Sequence, residues 1–188
     1  DRYMIEKVTG CLDQRRAEKK RFVPVSVNLS WMDFYDENML EWIVRGLKKN
    51  NQNEQKIRFE ITETSLAAIG ENHTRMLMHL KENGAEILLD DFGNGYSSFG
   101  MLQDYDFDIL KIDISFVRNI GVNKKSESIL RAIIDMAHQL GIRLVAEGAE
   151  TEEQVAFLRA NGCEYIQGYY YYKPMPESEF LQLLDEGK

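Results

Sequence analysis

The chain has 188 residues, 44% hydrophobic, 29% charged and 11% aromatic, which fits one domain with a proper core and excludes a disordered segment. Its 23 Lys+Arg against 31 Asp+Glu give a net charge of −8, the wrong sign for a general DNA or RNA binder. An acidic protein that meets phosphates needs a metal ion between them.

The opening residues Asp1 to Val8 read as the middle of an amphipathic helix, with no initiator Met, which suggests a piece cut from a longer protein. A helix is predicted over about 1–20, followed by the strand Val23–Ser30 and a helix over 36–50. The strand Lys56–Thr62, a helix over 71–83, the strand Ala85–Asp90 and a short helix over 97–103 come next. The second half continues with Asp108–Asp113 (strand), 125–140 (helix), Ile142–Glu147 (strand), 151–161 (helix), Cys163–Gly168 (strand) and 177–186 (helix). The punctuation agrees: Asn83-Gly84, Gly141 and Asn161-Gly162 stand where helices should stop, Thr151 to Gln154 has capping-box spacing, and Pro176 suits a first helical turn. Cys11 and Cys163 are too few for a disulfide framework and suit a reducing cytosol. No apolar run approaches the ~18–20 residues of a membrane span, so a cytoplasmic chain is expected, anchored if at all through upstream segments.

Near-continuous apolar strands alternating with helices predict an α/β fold built on a parallel sheet, either doubly wound or a β/α barrel. Six strands in 188 residues is about 31 residues per unit, whereas a closed eight-stranded barrel needs about 250. The shortfall of roughly 60 residues equals two units, so a barrel here would lack its first two.

Each candidate strand is apolar until its C-terminal end, where polar groups appear: Asn28, Glu60, Asp90 with Asp91, Lys111 with Asp113, Glu147, and Gln167. Singly, Asn28 and Asp91 are explained as helix caps, and Lys111 with Asp113 as a buried ion pair. Repeated on every strand, the pattern describes the mouth of a barrel, where active sites of that fold form. Carboxylates crowded there repel unless cations join them, and oxygen donors without a Cys or His cluster select hard ions such as Mg²⁺, Mn²⁺ or Ca²⁺. A pair of such ions is the usual machinery for phosphodiester cleavage. Tyr169 to Tyr172, directly after Gln167, read either as strand core and rim or as rings that stack on a purine.

These residues resemble a known family. Phe59 to Thr64 (FEITET), Leu89 to Ser98 (LDDFGNGYSS), Lys111-Ile112-Asp113, Val145 to Thr151 (VAEGAET), Gln167-Gly168-Tyr169 and the earlier Val27 to Ser30 (VNLS) are similar to the signature segments of EAL domains, in the same order from Asp1 to about Leu184. The resemblance implies a TIM-like (β/α)8 barrel, here without its first two strand/helix units, that linearises the bacterial messenger cyclic di-GMP to pGpG with two Mg²⁺ or Mn²⁺ ions. It further implies a homodimer and an upstream sensory or GGDEF-type domain in the parent protein.

Carried over by position, Asn28, Glu60 and Asp90 hold the first ion, and Asp90 and Asp91, with Glu147 at or beside them, the second. Lys111 faces the attacking water and the scissile phosphate, and Glu147 is the general base. Asp113, Glu150 and Gln167 line or support the site, and Glu63 anchors the loop after Asp91, coupling metal binding to the dimer. Three departures stand out. No Glu-Ala-Leu tripeptide occurs in the chain, Asn94 replaces a usual Thr, and Ala149 a usual Val. A chain without the two units is expected to be poorly active alone. The alternative is a silent EAL domain that binds cyclic di-GMP or a partner protein.

Overall fold

A computed structural model describes residues 1–30, 32–33, 36–50, 57–67, 72–93 and 98–187. Along the chain run α1 (Arg2–Ala17), β1 (Val25–Asn28), α2 (Glu37–Asn50), β2 (Ile57–Thr62), α3 (Glu63–Ala67), α4 (Asn72–Glu82), β3 (Glu86–Phe92), α5 (Ser98–Asp104), β4 (Ile109–Ile112), α6 (Ile114–Arg118), α7 (Lys124–Leu140), β5 (Arg143–Glu147), α8 (Glu152–Ala160), β6 (Tyr165–Gln167) and α9 (Glu177–Asp185). All the strands expected from the sequence are present, trimmed at one or both ends except β3, which starts one residue later than predicted and runs two residues further, to Phe92. The short helices α3 and α6 were not expected. Both follow a strand directly, and five residues are too few to show a helical period.

The residues fall into two compact units. The first comprises Asp1–Glu60, Glu71–Glu86 and Pro174–Lys188. Within it β1 pairs in parallel with β2 and sets Asn28 opposite Glu60. On α2 the buried residues are Met39, Ile43, Val44 and Leu47, one stripe of a 3.6-residue period. Arg15 of α1 donates through Nε to the Arg21 carbonyl (2.7 Å) and pairs with Asp185 of α9. A cavity of about 340 Å³ opens between the apolar faces of these two helices, lined by Leu12, Phe22, Phe180 and Leu184 among others.

The second unit, Ile61–Gly70 with Ile87–Lys173, carries β3 to β6, each pairing in parallel with its sequence successor. A doubly wound sheet reverses its order at a switch point. Strands joined to the next in sequence by helices are the arrangement of a β/α barrel, so the barrel alternative is the one realised. The core is dry: Ile109, Leu110 and Ile112 of β4, Leu144 and Ala146 of β5, and Leu130, Ile134 and Ala137 of α7 have no exposed surface. Each fully buried aliphatic side chain of this kind contributes ~1.5–3 kcal/mol.

The expected punctuation is largely in place. Thr151 and Gln154 form a reciprocal capping box at α8, and Gly141 closes α7. Pro176 stands one position earlier than expected, as the N-cap of α9. Tyr169 to Tyr172 lie beyond β6 in a turn and are all 39–57% exposed, so the strand-core reading does not hold for them. Among the described residues no helix is long and apolar enough to cross a membrane.

Candidate metal centre

Most of the polar residues singled out in the sequence stand at strand ends, while Glu60 lies two residues short of the end of β2 and Asp113 just past β4. Asn28, Glu147 and Gln167 are the last residues of β1, β5 and β6, Asp90 and Asp91 precede the last residue of β3, and Lys111 is next to last in β4. In the second unit several of them converge. The Lys111 ammonium, 6% exposed, lies 3.0 Å from Asp90 Oδ1 and 2.7 Å from Glu147 Oε1. Asp90, Asp91 and Glu147 each offer a carboxylate oxygen within 4.8 Å of the others.

Two consecutive aspartates should not share a site on a regular strand, because neighbouring side chains point to opposite faces. The exception is built into the backbone. The β3–β4 register shifts between Leu89 and Phe92, and Asp91 takes a left-handed φ of +57°. Aspartate tolerates this conformation better than most residues, and a bulge re-aims the side chain it carries. The Asp91 amide donates to Asp90 Oδ1 at 2.9 Å, which fixes the first carboxylate as the chain turns.

Three oxygen donors at this spacing, with no thiolate or imidazole among them, fit a hard divalent cation and not zinc or copper. Lys111 pairs with two of the three carboxylates. Like carboxylates this close repel one another unless a cation intervenes.

The remaining candidates are placed as follows. Asp113 does not pair with Lys111. Its carboxylate accepts the Ser115 amide at 2.9 Å and caps α6, so the ion-pair alternative for these two residues is replaced by a cap and a separate lysine cluster. Gln167 is exposed and registers with Glu147 across β5–β6. Glu150 is exposed, its amide donating to the Gln154 side chain at 2.7 Å. Glu63 is 3% exposed at the start of α3. Glu60 is half-buried and Asn28 exposed in the first unit. Asn94 lies outside the described residues. Ala149 is fully buried, and its amide donates to the Gln167 carbonyl at 3.2 Å. The sequence did not reveal the bulge and left-handed turn at Asp91; the doubled Asp followed by Phe-Gly was the available signal.

Residues 1–174 match the family model of the EAL domain. The chain is 42% identical over 128 residues to the cyclic di-GMP phosphodiesterase NbdA of Pseudomonas aeruginosa, covering 68% of this chain and 16% of that protein. It is 35% identical over 158 residues to the cyclic di-GMP phosphodiesterase PdeB of Shewanella oneidensis, covering 84% and 18%. The chain thus spans about a fifth of the length of these curated relatives. Among solved structures, the EAL domain of Mycobacterium smegmatis DcpA superposes with a TM-score of 0.88 at 31% identity, covering all of this chain and 84% of that one. The EAL enzyme Bd1971, in a cAMP- and cyclic-di-GMP-bound form, gives 0.83 at 31% over 94% of this chain and 48% of that one. Klebsiella pneumoniae BlrP1 in a manganese and cyclic-di-GMP complex gives 0.71 at 28% over 78% and 38%. With its family signature matched over most of its length and an α/β fold of the TIM-like barrel class, the chain belongs to the EAL domain family.

Proposed function

We propose that the protein containing this chain hydrolyses cyclic di-GMP to linear pGpG at the Asp90–Asp91–Glu147 cluster, with Mg²⁺ or Mn²⁺ as the working ions. The observation that carries the reading is the convergence of three carboxylate oxygens within 4.8 Å beside a buried lysine. Relatives named as cyclic di-GMP phosphodiesterases support the substrate. The manganese complex of BlrP1 supports the metal class.

In this reading Asp90, Asp91 and Glu147 would hold one ion, and the resemblance assigns Asn28, Glu60 and Asp90 to the other. Bound divalent ions activate water near neutral pH and neutralise charge on a phosphodiester. The protein's own groups do the rest. Glu147 accepts the proton of the attacking water. Lys111, placed between Asp90 and Glu147, stands ready to stabilise the negative charge that builds on the phosphate oxygens. Gln167, beside Glu147 on the next strand, lines the same side of the site, and Glu150 follows it on the turn after β5. Asp113 caps α6 on the chain just after the lysine strand, and the resemblance gives Glu63 the anchoring of the loop after Asp91. The working protein is a cytoplasmic homodimer with an upstream sensory or GGDEF-type domain.

The test uses the parent protein with cyclic di-GMP and Mg²⁺ or Mn²⁺, with products separated and Glu147→Gln run alongside. Metal-dependent pGpG, reduced at least ~10³-fold in the variant, is the expected result. Tight cyclic di-GMP binding with no turnover in the wild type would overturn it and make the protein a receptor.

A further inference from the structure

The five-residue helix α6 starts two positions after Ile112, the end of the strand that carries Lys111, and Asp113 fixes its first turn. Two of its side chains reach two glycines. A Cβ at Gly93 would lie 2.5 Å from Cε2 and 2.8 Å from Cζ of Phe116, and a Cβ at Gly148 would overlap Cγ1 and Cδ1 of Ile114. The Phe116 ring and the Ile114 side chain therefore rest on bare Cα atoms. Gly93, with φ +95°, is two residues past Asp91, and Gly148, with φ +75°, directly follows Glu147. A side chain at either glycine would be strained as well as obstructed.

Both turns that leave the carboxylate-bearing strands are thus pressed by one short element, itself rooted in the lysine strand. The turn after Glu147 is also gripped from its other side. A Cβ at Gly168 would overlap the Ala149 backbone, and the Ala149 carbonyl accepts the Tyr170 amide at 3.0 Å. We infer that Ile114 and Phe116 are positioning residues: through Gly148 and Gly93 they hold Glu147 and the Asp90–Asp91 pair at their spacing around Lys111. This rests on the hydrolase reading above. The physical ground is that close-packed interiors transmit displacement, and that a shift of ~1 Å in a reacting group costs on the order of 10²-fold in rate.

The test uses the parent protein and compares Ile114→Ala, Ile114→Val and Phe116→Leu with Leu130→Ala, a fully buried α7 residue. Mn²⁺ affinity is measured by calorimetry, and kcat and KM for cyclic di-GMP are measured separately. Ile114→Ala is expected to weaken Mn²⁺ binding about tenfold and to lower kcat ~10–100-fold, with KM nearly unchanged. Ile114→Val should recover most of both, Phe116→Leu should fall between, and Leu130→Ala should lose thermal stability while keeping wild-type Mn²⁺ affinity per folded molecule. Wild-type affinity and kcat in folded Ile114→Ala overturn the inference, as does an equal loss of affinity in Leu130→Ala. Should Ile114→Ala fail to fold, Phe116→Leu decides: reduced kcat with reduced Mn²⁺ affinity supports the inference, and wild-type values overturn it. A wild-type protein that neither binds Mn²⁺ nor turns over substrate removes the hydrolase reading itself, and the inference with it.

Discussion

Arg15 and Lys111, one in each unit, are the buried basic side chains among the described residues, 5% and 6% exposed, and their surroundings differ in kind. Arg15 meets one carbonyl and one carboxylate, and the account closes locally: a single positive charge, a single negative charge, and directional bonds that suit a planar guanidinium. Its hydrogen bond holds the Asp185 carboxyl below the usual carboxylate range. Lys111 meets two carboxylates with a third in reach of both. Burial of a charge is common to structural and functional sites. Carboxylates gathered around one lysine, at a spacing that suits a hard cation, separate the second from the first.

Removing each cation in turn from the parent protein, in variants that keep an apolar side chain in place, separates the roles of the two residues. Lys111→Met is expected to lower cyclic di-GMP turnover by ~10²–10³-fold, since a preorganised positive group at the reacting phosphate is lost. Mn²⁺ affinity should hold or rise, because the ammonium no longer competes for Asp90 and Glu147. Turnover within about twofold of wild type would reduce Lys111 to a structural ion-pair partner like Arg15.

Arg15→Met should do the opposite, lowering the unfolding temperature by a few degrees while leaving turnover per folded molecule unchanged. The sign with pH follows from Asp185. Its folded pKa is depressed, so the stability this pair adds is complete above the unfolded carboxyl value of about 4 and is lost as pH falls through the lower folded value. The difference in melting temperature between wild type and Arg15→Met should therefore shrink in acid. A difference that stays constant would assign the effect to the arginine's packing and not to its charge.

Much of this was legible in the sequence, for reasons visible in particular residues. Strands such as Ile109 to Ile112 are apolar because helices cover them, and α7 shows its buried face as Leu130, Ile133, Ile134 and Ala137. Those patterns are local and survive without coordinates. The strand-end polar series was legible too, because parallel strands bring the same end of every unit to one side. What the sequence hid were features set by tertiary packing. The bulge and positive φ at Asp91 depend on how β3 meets β4, and the partner of Lys111 proved to be the carboxylates of β3 and β5 in place of Asp113 two residues away. The helix α6 is held by Asp113 at its start and by contacts with Gly93 and Gly148, none of which leaves a period to read.

Cys163 is a buried ionisable group in the second unit with no cation of the described residues beside it. The thiol is 6% exposed and donates to the Tyr165 carbonyl at 3.2 Å, and burial pushes its pKa up to about 11. The neutral form is the one the fold accepts. An unfolded chain ionises this thiol near pH 9, so the stability carried by the protonated thiol is complete below that value and declines as pH rises toward about 11. In a Cys11→Ser background, the slope of stability against pH between about 9 and 11 should be shallower once Cys163→Ala is added, by up to ~2–3 kcal/mol over the interval. The same protein should react with a thiol reagent at about pH 8 only as fast as it unfolds. Rapid labelling of the folded state there would mean that a buried thiolate is tolerated without a cation beside it. The contrast drawn from Arg15 and Lys111, in which a buried charge requires an opposite charge beside it, would then fail at its simplest case.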